Sequence, residues 1–199
     1  MAVHTSIDPP PAPSAGGLLR GRHAARIEGD FVVFLIGARL NRLRDFRAWL
    51  PVVRAMPKMI AELQAHPELG MLHSFSAQRG LREAVLIQYW RSYEHLHAYA
   101  RARSSAHLPA WAQYNRAISG NDSVGIWHET YLVRAGEYEA IYGNMPPYGL
   151  GLALGATVAP ATGPLGSSLG RLGRSDGGDQ PVDGGGRAVE APAGQSTPA

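Results

Sequence analysis

Phe31 to Arg39 reads FVVFLIGAR, apolar at nearly every position. A run of that length, rich in Val, Ile and Phe, fits a strand buried on both faces. The spacing then changes. Phe46, Trp49, Leu50, Val53, Met56, Ile60 and Leu63 recur every three or four residues, which is one face of a helix. Asp45 stands where an N-cap belongs. Proline removes a backbone donor and clashes with the preceding turn. Pro51 and Pro57 therefore predict a short first turn, a main start at Pro51, a kink near Pro57 and an end at His66-Pro67. Leu69 to Ala77 alternates, with Met71, His73 and Phe75 against Leu72 and Ser74. Gln78 to Arg82, with Gly80, makes a hairpin turn into a second strongly apolar run, Glu83 to Trp90. Ser92 caps a helix through Tyr99, with Glu94 well placed in its first turn. His107, Trp111, Tyr114 and Ile118 share a further helical face. After a turn at Gly120–Asp122 comes a long strand, Val124 to Val133. It has Val124, Ile126, His128, Thr130 and Leu132 on one side and Gly125, Trp127, Glu129, Tyr131 and Val133 on the other. Tyr138 to Asn144 reads as a last short strand.

The order is β-α-β-β-α-β plus one extra C-terminal strand. That is α+β class, the ferredoxin-like split βαβ pattern. Such a sheet carries helices on one face only, and the other must be covered. Two protomers packing sheet to sheet, a dimeric α+β barrel, would cover it, so a homodimer is expected.

Composition sets the edges of this domain. Gly (24) and Pro (15) make up about a fifth of the 199 residues and crowd the ends, whereas every Phe, Trp and Tyr lies between Phe31 and Tyr148. The reading is a disordered tail over 1–28, one domain over 29–152, and a disordered Gly/Pro-rich tail over 153–199. The tail glycines keep no period of three, which excludes a collagen-like repeat. Cysteine is absent, which removes disulfides, thiolate metal sites and a thiol nucleophile. That absence fits a reducing cytosol. The opening MAVHTSIDPPPAPSAGG has no apolar stretch of the secretory kind, and no run of about 18 apolar residues spans a membrane. A cytoplasmic protein is the expectation. All cations but Lys58 are arginines, densest at Arg39, Arg42, Arg44 and Arg47. They are not interleaved with aromatics as a nucleic-acid surface requires, so no nucleic-acid partner is expected.

Several segments carry a family resemblance: FVVFLIGARLNRL, WLPVVRAMPKMIAEL, HPELGML, VLIQYWRSYEHLHAYAR, HLPAW, VGIWHETYLV and YEAIYGNMPPYGLG. Over about Phe31 to Leu152 the chain resembles the DUF4188 family, labelled "monooxygenase family protein". That family is grouped with antibiotic-biosynthesis monooxygenases and other dimeric α+β barrels. The resemblance implies a cofactor-independent monooxygenase acting on a hydrophobic small molecule of secondary-metabolite type. The superfamily also holds haem-dependent and non-catalytic members, so a haem-binding or purely ligand-binding protein is the alternative.

Cofactor-free oxygenation needs a dry pocket, a base for an electron-rich substrate and donors to hold the resulting anion. His128, mid-strand in GIWHET, is the leading base, because imidazole suits proton transfer near neutrality. A core His bonded to a neighbour or to the dimer partner is the competing role. His107, ahead of a helix, is the second catalytic candidate and the candidate haem ligand; a surface place at the helix start competes. His95 and His97 are two apart on a helix and make no metal pair, so no metal site is expected. His73 fits a buried structural role. Trp90, Trp111 and Trp127 are candidate pocket walls as well as core residues. Arg39 is placed to meet an anionic substrate or to pair at the surface. IYGNMPPYGLG is a stiffened loop in which Asn144 (catalytic candidate), Tyr142 and Tyr148 offer donors beside Met145. It either covers the pocket mouth or serves as a dimer arm.

Overall fold

Every backbone donor in a long apolar strand needs a partner, and the strands supply them to one another in two separate sheets. A computed structural model describes residues 17–102 and 122–174. The strands are β1 (Arg22–Arg26), β2 (Phe31–Leu40), β3 (Met71–Arg79), β4 (Glu83–Trp90), β5 (Val124–Val133), β6 (Ile141–Gly143) and β7 (Thr157–Pro160). The helices are α1 (Phe46–Ala65), α2 (Tyr93–Arg101) and two four-residue helices, α3 (Leu150–Ala153) and α4 (Ser168–Arg171).

The main sheet has the order β3-β4-β2-β5, with every neighbouring pair antiparallel. This is the ferredoxin-like arrangement, and the α+β fold expected from the sequence holds. β2 pairs with β4 on one side and β5 on the other, which is why its run is apolar on both faces. Register fixes the faces. Val32 lies opposite Trp90 and Leu132, and Ile36 opposite Leu86 and His128. These positions face the helices. The core there gathers Val32, Leu63, Met71, Trp90, Leu96 and Tyr99, with Phe34, Ile60 and Leu69 against it. Ser92 caps α2 as expected, its hydroxyl accepting from the His95 amide.

Three expectations are corrected. First, α1 is one helix of 20 residues beginning at Phe46, with both prolines inside it. Each proline leaves a carbonyl four residues back without its donor, at Arg47 and Val53. Both residues are exposed, so water can serve those oxygens. Asp45 makes no side-chain cap; its carboxylate accepts from the Ser123 hydroxyl instead. Secondly, the last strand, shortened to Ile141–Gly143, does not join the main sheet. It pairs with β1 in a second sheet of order β6-β1-β7. Thirdly, β1 and β7 come from residues assigned above to the tails. RHAAR has too few apolar residues to announce itself. It becomes a strand because it lies between two partners and buries Ala24 completely.

The second sheet sits beside the helix-free face of the main one. The Tyr138 ring meets Phe31 edge-on at 4.8 Å, and its hydroxyl donates to the Gly29 carbonyl (2.7 Å). Tyr148 lies 4.9 Å from Phe75, and Gly149 packs beneath the Tyr89 hydroxyl. The Arg171 side chain, 7% exposed, holds Glu139 at 2.7 Å and fastens α4 to this unit.

Candidate active site

Both coverings of the main sheet lie towards β3 and β4. α1 packs on β3, α2 on β4, and α3 reaches β3 from the other face. Among the described residues, none of these helices makes a comparable contact with β5. From Trp127 to Leu132 every residue of β5 is exposed, including Trp127 (43%), Tyr131 (51%) and Leu132 (68%). The strip made by β5 and the adjoining part of β2 is where a ligand or a second protomer can reach the sheet.

On the helix side of this strip stand Phe34, Ile36, His128, Thr130 and Leu132. The His128 ring is 5.7 Å from that of Phe34, tilted by 40°. Ile36 lies directly across from it. Thr130 lies across from Phe34 on the same face, about 6.6 Å along the strand from His128. No other described side chain hydrogen-bonds His128. Thr130 supplies a hydroxyl beside it, and the rest of the strip is apolar. Alternation two places from His128 was the signal for Thr130, but Thr in a strand reads first as a β-former.

The reverse face of the strip is aromatic. The Trp127 indole lies on Gly37 so closely that an added Cβ there would fall 2.3 Å from its ring nitrogen. The Tyr131 hydroxyl donates to Glu129, which holds the phenol's pKa above its ordinary value. Farther along this face His73, Phe75, Tyr89 and Tyr148 form a ring cluster. Burial lowers the His73 imidazole pKa from its ordinary value. Burial also pushes the Tyr89 phenol up, and Tyr142 and Tyr148 add to that.

The remaining sequence candidates are scattered. His107 and Trp111 lie outside the described residues. Trp90 is 1% exposed and its indole donates to Gln88 (2.9 Å), so it is core and offers no surface to a substrate. Tyr142 is equally committed: 5% exposed, it donates to the Tyr148 carbonyl (2.9 Å) and accepts from the Gly151 amide (3.0 Å). Asn144 has a left-handed backbone (φ 52°), and its side chain accepts from the Gly21 amide at 2.8 Å. It closes the end of the β1–β6 ladder. Met145 is half-buried in the same loop. Arg39 is exposed and paired with Glu83. His128 and Trp127 therefore share the open strand on opposite faces, while Tyr142, Asn144, Met145 and Tyr148 belong to the second unit.

For haem, His107 was the candidate ligand and is not described. His128 on the open edge lacks the enclosed apolar setting an axial imidazole needs. No group of three or more potential metal ligands occurs among the described residues.

Residues 31–150, the whole main sheet and its connections, match a family model described as Monooxygenase af470-like. The chain belongs to this family. Monooxygenase af470 of Aspergillus fumigatus is 28% identical over 194 aligned residues, spanning 80% of this chain and 68% of that protein. Among solved structures, aldoxime dehydratase (OxdRE) in complex with butyraldoxime superposes with a TM-score of 0.56 at 18% identity. The match covers 70% of this chain but only 44% of that one, and at this identity the likeness is one of fold. SnoaB, a cofactor-independent oxygenase from Streptomyces nogalater, gives a TM-score of 0.39 at 13% identity over 53% of this chain and 94% of its own. Within the Monooxygenase af470-like match lie His128, Thr130 and the bare β5 strip, whereas β1 and β7 fall outside it. No described helix is long and apolar enough to cross a membrane.

Proposed function

We propose that this member of the monooxygenase family works as a homodimer without a cofactor and oxygenates a hydrophobic small molecule, with His128 as its base. The observation that carries this reading is the position of His128. It is an imidazole with no competing partner among the described residues, on an apolar strip beside Phe34 and Ile36. A flat hydrophobic substrate laid on that strip brings an acidic C–H within reach of the ring nitrogen. The substrate supplies all the electrons. His128 takes one proton from an activated methylene, and the carbanion adds to O2. The peroxide takes that proton back from His128. His128 then removes the second C–H proton as the O–O bond breaks, giving the ketone and hydroxide, and the hydroxide takes the proton from His128 and leaves as water. One oxygen atom ends in product and one in water, with no outside reductant. Thr130 is placed to donate to the substrate anion. General-base catalysis by one side chain contributes about 10²- to 10⁴-fold.

Dimerisation is supported by the reverse face of the same strip. Trp127 and Tyr131 are half-exposed beside Val33, Leu35 and Ile87. Two exposed aromatics beside these aliphatic residues make an apolar patch of the kind that marks an interaction surface. A second sheet packed there would cover them.

The test is oxygen uptake with a tricyclic aryl ketone bearing an acidic benzylic methylene. His128→Gln is expected to lower kcat by about 10²-fold or more. Uptake unchanged in that variant removes the role of His128. Native mass is expected at twice the 21.3 kDa of the chain. A monomer that keeps full activity removes the dimer.

A further inference from the structure

The β3–β4 hairpin ends in a feature that the oxygenation reading does not use. A groove of about 340 Å³ opens at its tip, lined by Arg39, Arg79, Arg82, Glu83, Leu43 and Leu81. Three guanidinium groups face one carboxylate. Glu83 takes both Arg39 and Arg79, and Arg82 donates to the Asn41 carbonyl at 3.0 Å. The groove thus holds a local excess of two positive charges. The adjoining loop adds Arg42, which is paired with Asp122 at 2.7 Å, and Arg44, exposed with no acidic partner among the described residues. Two leucines stand among these cations. Leu81, at the apex of the turn, is 91% exposed, and Leu43 is 38% exposed. One exposed leucine is ordinary. A leucine at a hairpin apex between Arg79 and Arg82, beside a second leucine and a cationic groove, is a surface of mixed character with a definite complement.

We propose that this hairpin groove is a docking site for an acidic segment of a partner protein that presents a leucine-sized apolar side chain. Charge complementarity selects the acidic occupant, since arginine pairs well with carboxylates. The leucines select a protein over a nucleic acid. The groove is lined by no aromatic on which bases could stack, and a phosphate backbone makes no use of Leu81. A free small anion would engage the arginines alone. The site lies at the hairpin tip, away from the rings of Tyr89 and Tyr148 near the other end of β4.

The test uses the full chain and fluorescence anisotropy with three labelled probes. These are a 15-residue glutamate-rich peptide with leucine at every fourth position, the same peptide with alanine for leucine, and a single-stranded DNA of equal charge. The leucine peptide is expected to bind more tightly than either of the others, and more weakly as salt rises. Leu81→Ser is expected to bring its affinity down about tenfold, to that of the alanine peptide. Arg79→Ser, at a side chain 91% exposed, is expected to weaken both peptides by up to about fivefold. Circular dichroism and oxygen uptake should be unchanged in both variants, which separates this site from His128. DNA binding as tight as the leucine peptide overturns the proposal in favour of a nucleic-acid surface. Leu81→Ser without effect on the leucine peptide overturns it outright. Loss of the dimer in Leu81→Ser overturns it in favour of a second copy in the groove.

Discussion

Replacing Gly151 with alanine asks how firmly the second sheet is built. Gly151 is the second residue of α3 and is fully buried there. In an ordinary helix the change gains up to about 1 kcal/mol, because alanine loses less backbone freedom on folding. The surroundings reverse the sign. A Cβ at Gly151 would stand 2.2 Å from the Tyr142 hydroxyl oxygen and 3.0 Å from the ring carbon that bears it. Tyr142 has nowhere to retreat. Its ring is 5% exposed, its backbone is fixed opposite His23, and its hydroxyl bonds both Tyr148 and Gly151. Overpacking of this kind costs about 1–3 kcal/mol, and each displaced hydrogen bond adds about 1 kcal/mol. Set against the helix gain, and with one or both bonds displaced, the net loss is about 1–4 kcal/mol. Tyr142→Phe alone loses the two bonds but leaves the ring, at about 1–2 kcal/mol. The double variant keeps the ring and relieves the closest contact, so it should be more stable than the sum of the two changes by about 1 kcal/mol or more. Urea unfolding followed by fluorescence gives the three free energies. Hydrogen exchange at the Ala25 amide, which bonds the Ala140 carbonyl, reports the second sheet separately. Strict additivity in the double variant, or Gly151→Ala as stable as the parent, would refute the packing argument.

Two further outcomes follow from the same contacts. Ser92→Ala removes the hydroxyl that accepts from the His95 amide and should cost about 1 kcal/mol in urea unfolding, with protection lost first at the α2 amides. Hydrogen bonding from Arg171 lowers the Glu139 pKa below its ordinary value, with the Arg171 charge and the Ser168 hydroxyl acting in the same direction. A carboxyl depressed in the folded state gives stability that is present above its unfolded pKa, near 4.5, and lost as pH falls through the folded value. Thermal unfolding from pH 6 downwards should therefore show the second sheet loosening below about pH 4.5, and Glu139→Gln should flatten that dependence.

Local signals carried the main sheet because each of its strands and helices announces itself. β4 runs from Glu83 to Trp90 and β5 from Val124 to Val133, the bounds their apolar and alternating runs predict. The Ser92 cap is a property of one residue and the helix after it. The second sheet was not legible for the opposite reason. β1, β6 and β7 are five, three and four residues long, and the two outer strands each pair with β1 alone. The pairing of His23 with Tyr142 and Pro160 spans more than a hundred residues, and no local pattern encodes it. The candidate site divides along the same line. Alternation put His128 and Trp127 on opposite faces, and register against Ile36 and Gly37 agrees. Alternation could not say that the coverings stop short of β5. It therefore read His128 as an inward-facing residue of an apolar strand, where the described residues leave it exposed. The Pro-stiffened loop carrying Asn144 and Tyr142 read equally as a cover for the pocket mouth or as a dimer arm, because its donors look available. In the fold Asn144 is bonded to Gly21 and Tyr142 to Tyr148 and Gly151. A polar side chain next to tandem prolines is evidence of a shaped loop, and only its partners decide whether the shape serves the substrate or the chain. Here those partners are Gly21 just before β1, Tyr148 in the loop itself and Gly151 in the helix after it, so the polar groups that looked functional join the second unit together.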